Sequence, residues 1–237
     1  MSAGNVENTG FLYPFIDAEE RDSGTLLTEL AASARAKAAE SAALQQATLT
    51  ASADQVAACG AVMAERFAVG GRLYAFGNGG SSTDCATFAA LFANPPAGAP
   101  QGGARPAWRG LPAINLAADQ AVVTALGNDV GFDLVFSRQI IAYAGPHDIA
   151  VAFSASGNSR DLMTALREAR GRGLLTIGFA GYDGGEMAAS DAVDHCFVVR
   201  SQSIHRIQES QALLGYQLWA ATQRAVHPLL STREGAR

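Results

Sequence analysis

The stretch from Asp148 to Arg160 reads DIAVAFSASGNSR and sets the terms for the rest of the chain. Ile149 to Phe153 is a short, almost wholly apolar run, as expected of a strand buried on both faces of a parallel sheet. It opens directly into Ser154, Ala155, Ser156, Gly157, Asn158 and Ser159. A helix-like segment follows, Asp161 to Arg172, with apolar residues at Leu162, Met163, Leu166 and Ala169. Strand, hydroxyl-rich turn and helix N-terminus together make a ready anion site, because free backbone N–H groups, the positive end of the helix dipole and three serine hydroxyls converge. No lysine lies in the turn, so phosphate would be held by neutral donors rather than by a P-loop ammonium. An ordinary Ser/Asn-capped helix has the same local sequence, and other parts of the chain must decide between the two.

The same strand-to-helix grammar recurs. Leu73 to Phe76 reads as a strand, followed by Gly77-Asn78-Gly79-Gly80-Ser81-Ser82 and a helical run from Thr83 to Ala93. Further strands are expected at Pro112 to Leu116, Leu174 to Phe179 and Val193 to Val199. Helices are expected from Asp119 through Leu126, stopped by Gly127-Asn128-Asp129, and from Phe132 to Tyr143. A long final helix runs from Ser203 to about Val226 and stops at Pro228. The turn Gly181 to Gly185 holds Asp183, with Glu186 just after it, and turn chemistry explains both. Strands separated by helical segments imply right-handed crossovers and a parallel, doubly wound sheet.

Two helices precede the first strand, Thr25 to about Gln46 and, with Ser52 as N-cap, Ala53 to Ala68. They cannot bury both faces alone, so packing on a partner subunit is the expected outlet. Residues 1–24 form an irregular arm with Phe11, Leu12, Tyr13, Phe15 and Ile16 clustered around Pro14. Asn94 to Gly110 is a long Pro/Gly-rich loop. The expected organisation is an arm over 1–24, a helical extension over 25–70, an α/β domain over 71–228 and a tail over 229–237. The fold class is α/β, a three-layer αβα sandwich around five parallel strands with N-terminal helices.

Ligands of such sheets sit at the carboxyl ends of strands, where crossovers diverge. Both hydroxyl-rich turns lie there, and Gly77, Gly79 and Gly80 allow backbone to approach an anion closely. Gly77-x-Gly79 invites a dinucleotide reading, but residue 82 is serine where the third glycine belongs, and the acid expected about 20 residues on is missing. A net charge of −5 argues against nucleic acid and against a basic membrane-facing patch. Three widely spaced cysteines, Cys59, Cys85 and Cys196, read as buried free thiols of a reducing compartment. With no apolar run near 20 residues and no signal peptide, the expectation is a cytoplasmic protein.

GNGGSS, NLAAD…GND from Asn115 to Asp129, SASGNS, GYDGG and RIQE at Arg206 to Glu209 occur in that order. Together they resemble the sugar isomerase (SIS) family, and within it the phosphoheptose isomerase group with its non-catalytic relatives that bind the bacterial replication initiator. The resemblance covers about Arg72 to Trp219. It implies a flavodoxin-like sheet, sugar-phosphate binding and a homodimer or homotetramer. By position it implies that Asn78, Gly80, Ser81, Ser154, Ser156, Ser159 and Gln208 take the phosphosugar, with Asp119 near it.

The resemblance breaks where proton transfer is done. The heptose isomerases it points to use a His and a Glu one turn apart on the helix after GNGGS, and a Gln and a His two turns apart on the last helix, groups that can also ligate zinc. Here those positions carry Thr87, Leu91, Gln208 and Tyr216. One glutamine cannot make a zinc site, so no metal and no other cofactor is expected. His205, with Glu209 one turn on, is the candidate for a surviving acid/base role; the alternative is a polar first turn. Tyr216 reads as a core or interface aromatic rather than a catalytic phenol. Arg109 and Arg138 either meet phosphate or are solvated, and Asp119 either caps a helix or touches sugar. The main expectation is a sugar-phosphate-binding sensor, adaptor or assembly factor with a possible protein partner. The alternatives are an active aldose–ketose isomerase on a substrate such as sedoheptulose 7-phosphate, and a protein-binding scaffold with a vestigial pocket.

Overall fold

The computed structural model describes residues 23–96 and 108–234. The arm and most of the Pro/Gly loop lie outside the described residues. The chain divides into two units, 1–43 and 44–237, and everything below concerns the second.

Five parallel strands form one sheet in the order β2-β1-β3-β4-β5: β1 (Leu73–Gly77), β2 (Ala113–Asn115), β3 (Ile149–Phe153), β4 (Leu175–Gly181) and β5 (His195–Val199). Apolar residues on both faces of β1, β3 and β4 leave those strands wholly buried. Strand alternation sends Leu73, Ala75, Ile149, Val151 and Phe153 to one core. Tyr74, Phe76, Ala150 and Ala152 go to the other.

The first core is closed by α1 (Ser23–Ala68) through Cys59, Met63 and Phe67, by α2 (Gly80–Ala93) through Phe88 and Phe92, and by α7 (Ile204–Glu234) through Leu214, Leu218 and Trp219. The second is closed by α4 (Val135–Tyr143) and α5 (Arg160–Gly171), with Met187 of α6 (Gly185–Ala189). Helix α3 (Gln120–Asp129) has no buried residue and reaches α4 through a 3-10 turn at Phe132–Leu134. Helices on both faces of a parallel sheet give the expected three-layer sandwich.

Several helix boundaries differ from the sequence reading. Helix α2 begins at Gly80 rather than Thr83, which takes Ser81 and Ser82 into its first turn. Residues 44–68 are one unbroken helix, without a cap at Ser52. Nothing from Leu44 to Cys59 is glycine or proline, Ser52 is buried, and Thr50 Oγ1 donates to the Gln46 carbonyl at 2.8 Å, so hydroxyl residues sit inside the helix. Helix α3 continues through Gly127 and ends before Gly131, whose φ of 106° only glycine adopts readily. The last helix passes through Pro228 to Glu234. Proline removes only its own N–H from the ladder, and Ser231 Oγ donates to the His227 carbonyl at 2.9 Å.

The three cysteines are free. Burial pushes the Cys59 thiol up to about 12 and that of Cys196 to about 11, which disfavours the thiolate at both. Among the described residues, no helix is long and apolar enough to cross a membrane.

Candidate functional site

In the strand order 2-1-3-4-5 the crossovers diverge between β1 and β3, and a crevice opens at their carboxyl ends. A cavity of about 280 Å³ lies there. Its floor is Phe153, held flat on Phe179 with ring centroids 4.3 Å apart. From the turn after β1 comes Asn78 and from the first turn of α2 come Gly80 and Ser81; from the turn after β3 come Ser154, Ser156 and Ser159. Gln208 and Ile204 of α7 close one wall, with Tyr182 beside them.

The serines form a compact hydroxyl cluster. Ser154 Oγ lies 3.3 Å from Ser159 Oγ and 3.5 Å from Ser156 Oγ, and accepts from the Gly157 N–H at 3.1 Å. Ser159 stands at the N-cap of α5 without using its side chain to cap it, while the N–H groups of Asp161 and Leu162 in the first turn donate to the Asp161 carboxylate. Helix α2 likewise starts after Gly79 with no side-chain cap. Gly157 has φ +68°, and a Cβ there would stand 2.1 Å from the Gly184 carbonyl oxygen, so the turn cannot close around another residue. At Gly80 a Cβ would stand 2.4 Å from Gln208 Nε2, so any other residue would displace that amide from the cavity wall. Asn78 Nδ2 donates to Asp161 Oδ2 at 2.8 Å, which ties the two turns together. Burial raises the Asp161 carboxyl above its usual range, and Asn78 opposes this by donating to it.

All of Asn78, Gly80, Ser81, Ser154, Ser156, Ser159 and Gln208 therefore meet around one cavity. Asp119 does not. It is exposed and caps α3, accepting from the N–H groups of Ala121 at 3.0 Å and Val122 at 3.2 Å. His205 and Glu209 are exposed and line neither this cavity nor the next. Each follows a cavity residue, Ile204 or Gln208, by one position, and 100° of helical rotation carries it off the lining face. Arg109 and Arg138 line neither cavity either, and the cradle contains no lysine or arginine. Arg160, at the start of α5, pairs with Asp133 at 3.1 Å on the surface.

A second, smaller recess of about 60 Å³ lies between α2 and α7 and shares Phe153 with the first. Thr87, Leu91 and Tyr216 line it, together with Asp84, which the sequence reading did not single out. Tyr216 is 44% exposed and packs on Trp219 at 5.2 Å, an aromatic at the rim. A larger recess, about 430 Å³ between α1 and α7, is lined by residues such as Leu49, Val56, Gln217 and Arg224 and includes no strand end or helix N-terminus.

The SIS domain family model matches residues 38–181, which spans both hydroxyl-rich turns. The chain belongs to the SIS family. Among the relatives of this SIS protein is the phosphoheptose isomerase of Solidesulfovibrio magneticus, 39% identical over 185 residues, covering 76% of this chain and 82% of the relative. The phosphoheptose isomerase of Geobacter sulfurreducens is 38% identical over 176 residues, covering 74% and 88%. In three dimensions the chain resembles phosphoheptose isomerase GmhA from Neisseria gonorrhoeae, with TM-score 0.73 and 30% identity over 82% of this chain and 99% of that one.

Proposed function

We propose that this SIS protein is an aldose–ketose isomerase of a phosphorylated sugar, of the phosphoheptose type. The observation that carries the reading is the 280 Å³ cavity at the β1/β3 crevice, where two uncapped helix starts and a cluster of serine hydroxyls face one point. Neutral donors suit a phosphate dianion, and the groove between α2 and α7 receives the carbon chain. Relatives 39% and 38% identical bear the name phosphoheptose isomerase, which supports a seven-carbon substrate. A homodimer or homotetramer belongs to the same proposal, and sedimentation velocity distinguishes monomer, dimer and tetramer.

The donor set at the second recess does not fit zinc. Thr87, Leu91 and Tyr216 supply two hydroxyls and an aliphatic chain, Asp84 a single carboxylate, and zinc prefers histidine, cysteine and carboxylate ligands together. Among the described residues no group of three His, Cys, Asp or Glu side chains could hold a metal. We accordingly assign proton transfer to the chain's own groups.

A second reading, a phosphosugar sensor or adaptor without turnover, is favoured by one observation: Thr87, Leu91 and Tyr216 offer no ordinary acid or base. One experiment separates the two. The protein is titrated with sedoheptulose 7-phosphate in a thermal-shift assay, since binding stabilises the folded state by RT ln(1 + [L]/Kd), and conversion is then followed by NMR. A shift with conversion is expected; a shift without conversion overturns the isomerase in favour of the sensor.

A further inference from the structure

Gly80, Ser81 and Asp84 are spaced i, i+1 and i+4 on α2, so Asp84 stands one turn beyond the cradle on the same helix face. On α7, Ala212 and Tyr216 follow Gln208 at the same helical interval. Gly80 and Gln208 line the first recess; Asp84, Ala212 and Tyr216 line the second. Both recesses thus lie between α2 and α7, one turn apart, and share Phe153 as a wall. The other residues around Asp84 are Thr87, Phe88, Leu91, Phe153 and Gly215. Its Oδ2 is buried and has no hydrogen-bond partner. A carboxylate oxygen buried without a partner is costly.

We propose that Asp84 is the catalytic base of the isomerisation, its Oδ2 meeting the reacting carbon of a sugar phosphate seated in the cradle. This rests on the isomerase reading and supplies the group that Thr87, Leu91 and Tyr216 cannot. The C–H bond on the hydroxyl-bearing carbon beside the carbonyl breaks, and its proton goes to Asp84. The electron pair forms the C=C bond of an enediol while the carbonyl oxygen takes a proton from water. Asp84 then returns its proton to the former carbonyl carbon as the neighbouring hydroxyl gives one to water and becomes the new carbonyl. Burial raises the pKa of Asp84 above the usual carboxylate range, which strengthens it as a base once ionised. The titratable groups around it are the Cys85 thiol on α2, which burial pushes well up, and the Tyr216 phenol on α7.

The test is deuterium incorporation into sedoheptulose 7-phosphate in D₂O, read by NMR, for the wild type, D84N and D84E. Wild type should exchange; D84N should lose about 100-fold or more in exchange while keeping the ligand-induced thermal shift, and D84E should recover part of it. Exchange by D84N at close to the wild-type rate overturns Asp84 and leaves the isomerase standing. A wild type that binds the sugar but neither exchanges nor converts overturns both. Should D84N fail to fold, the wild-type exchange rate decides: it must climb with pH as Asp84 ionises, and a flat rate from pH 4 to pH 8 overturns the assignment.

Discussion

The two recesses of the α2–α7 groove are made of opposite materials. In the cradle, hydroxyls and amides satisfy one another: Ser154, Ser156 and Ser159 lie within hydrogen-bonding reach, and Asn78 holds Asp161. In the second recess the walls are mostly apolar, and the one carboxylate has an oxygen with no partner. The first is a settled network that rigidifies the turns it joins; the second keeps a polar group at a cost to the fold. On the proposed reading, holding a ligand and transforming it fall to separate recesses between the same two helices.

That contrast can be broken at either end. The largest effect is expected at the cradle, where S81A combined with S156A removes two hydroxyls aimed at an anion. At about 1.5–3 kcal/mol for each hydrogen bond to a charged group, phosphosugar affinity should fall by about 100-fold or more. Isothermal titration calorimetry checks this, and unchanged affinity would remove the cradle from the site. At the other end, D84N should make the protein more stable at pH 7, the reverse of most substitutions, because it removes the charge that burial disfavours.

The pH dependence sharpens this second effect. Because burial raises Asp84 above the usual carboxylate value of 3.8, the folded chain holds that proton more tightly than the unfolded chain. The group's stabilising contribution is full below that value and is lost as pH rises through its folded-state pKa. The advantage of D84N should therefore open as pH rises through that window and close in acid; urea titrations at several pH values would show it. An advantage that persists in acid would mean that Asp84 is not the cause. The smallest effect is expected outside the groove. D119A should cost about 1 kcal/mol through the lost α3 cap and leave phosphosugar affinity untouched. Weakened binding in D119A would put Asp119 back at the sugar.

How far each recess could be foreseen follows from how it is built. The cradle is local: β3, its serine turn and α5 are consecutive in sequence, and a buried strand feeding a hydroxyl-rich helix start has few alternatives. Asp84 gave no such signal, because its setting is made by α7, whose facing residues begin more than 120 positions later. Asp161 was missed for a related reason; its partner Asn78 lies 83 residues away. His205 and Glu209 had suitable chemistry but the wrong helical phase, since one residue past Ile204 or Gln208 faces solvent. Ser52 carried a cap signal that α1 overrode, because no glycine or proline backed it.

The closeness of α2 and α7 at Gly80 has one more consequence. Each helix advances about 1.5 Å per residue, so Asp84 lies about 4.5 Å along its axis from Ser81, and Ala212 about 6 Å from Gln208. The groove is thus a gauge, graduated by backbone pitch and out of reach of loop motion.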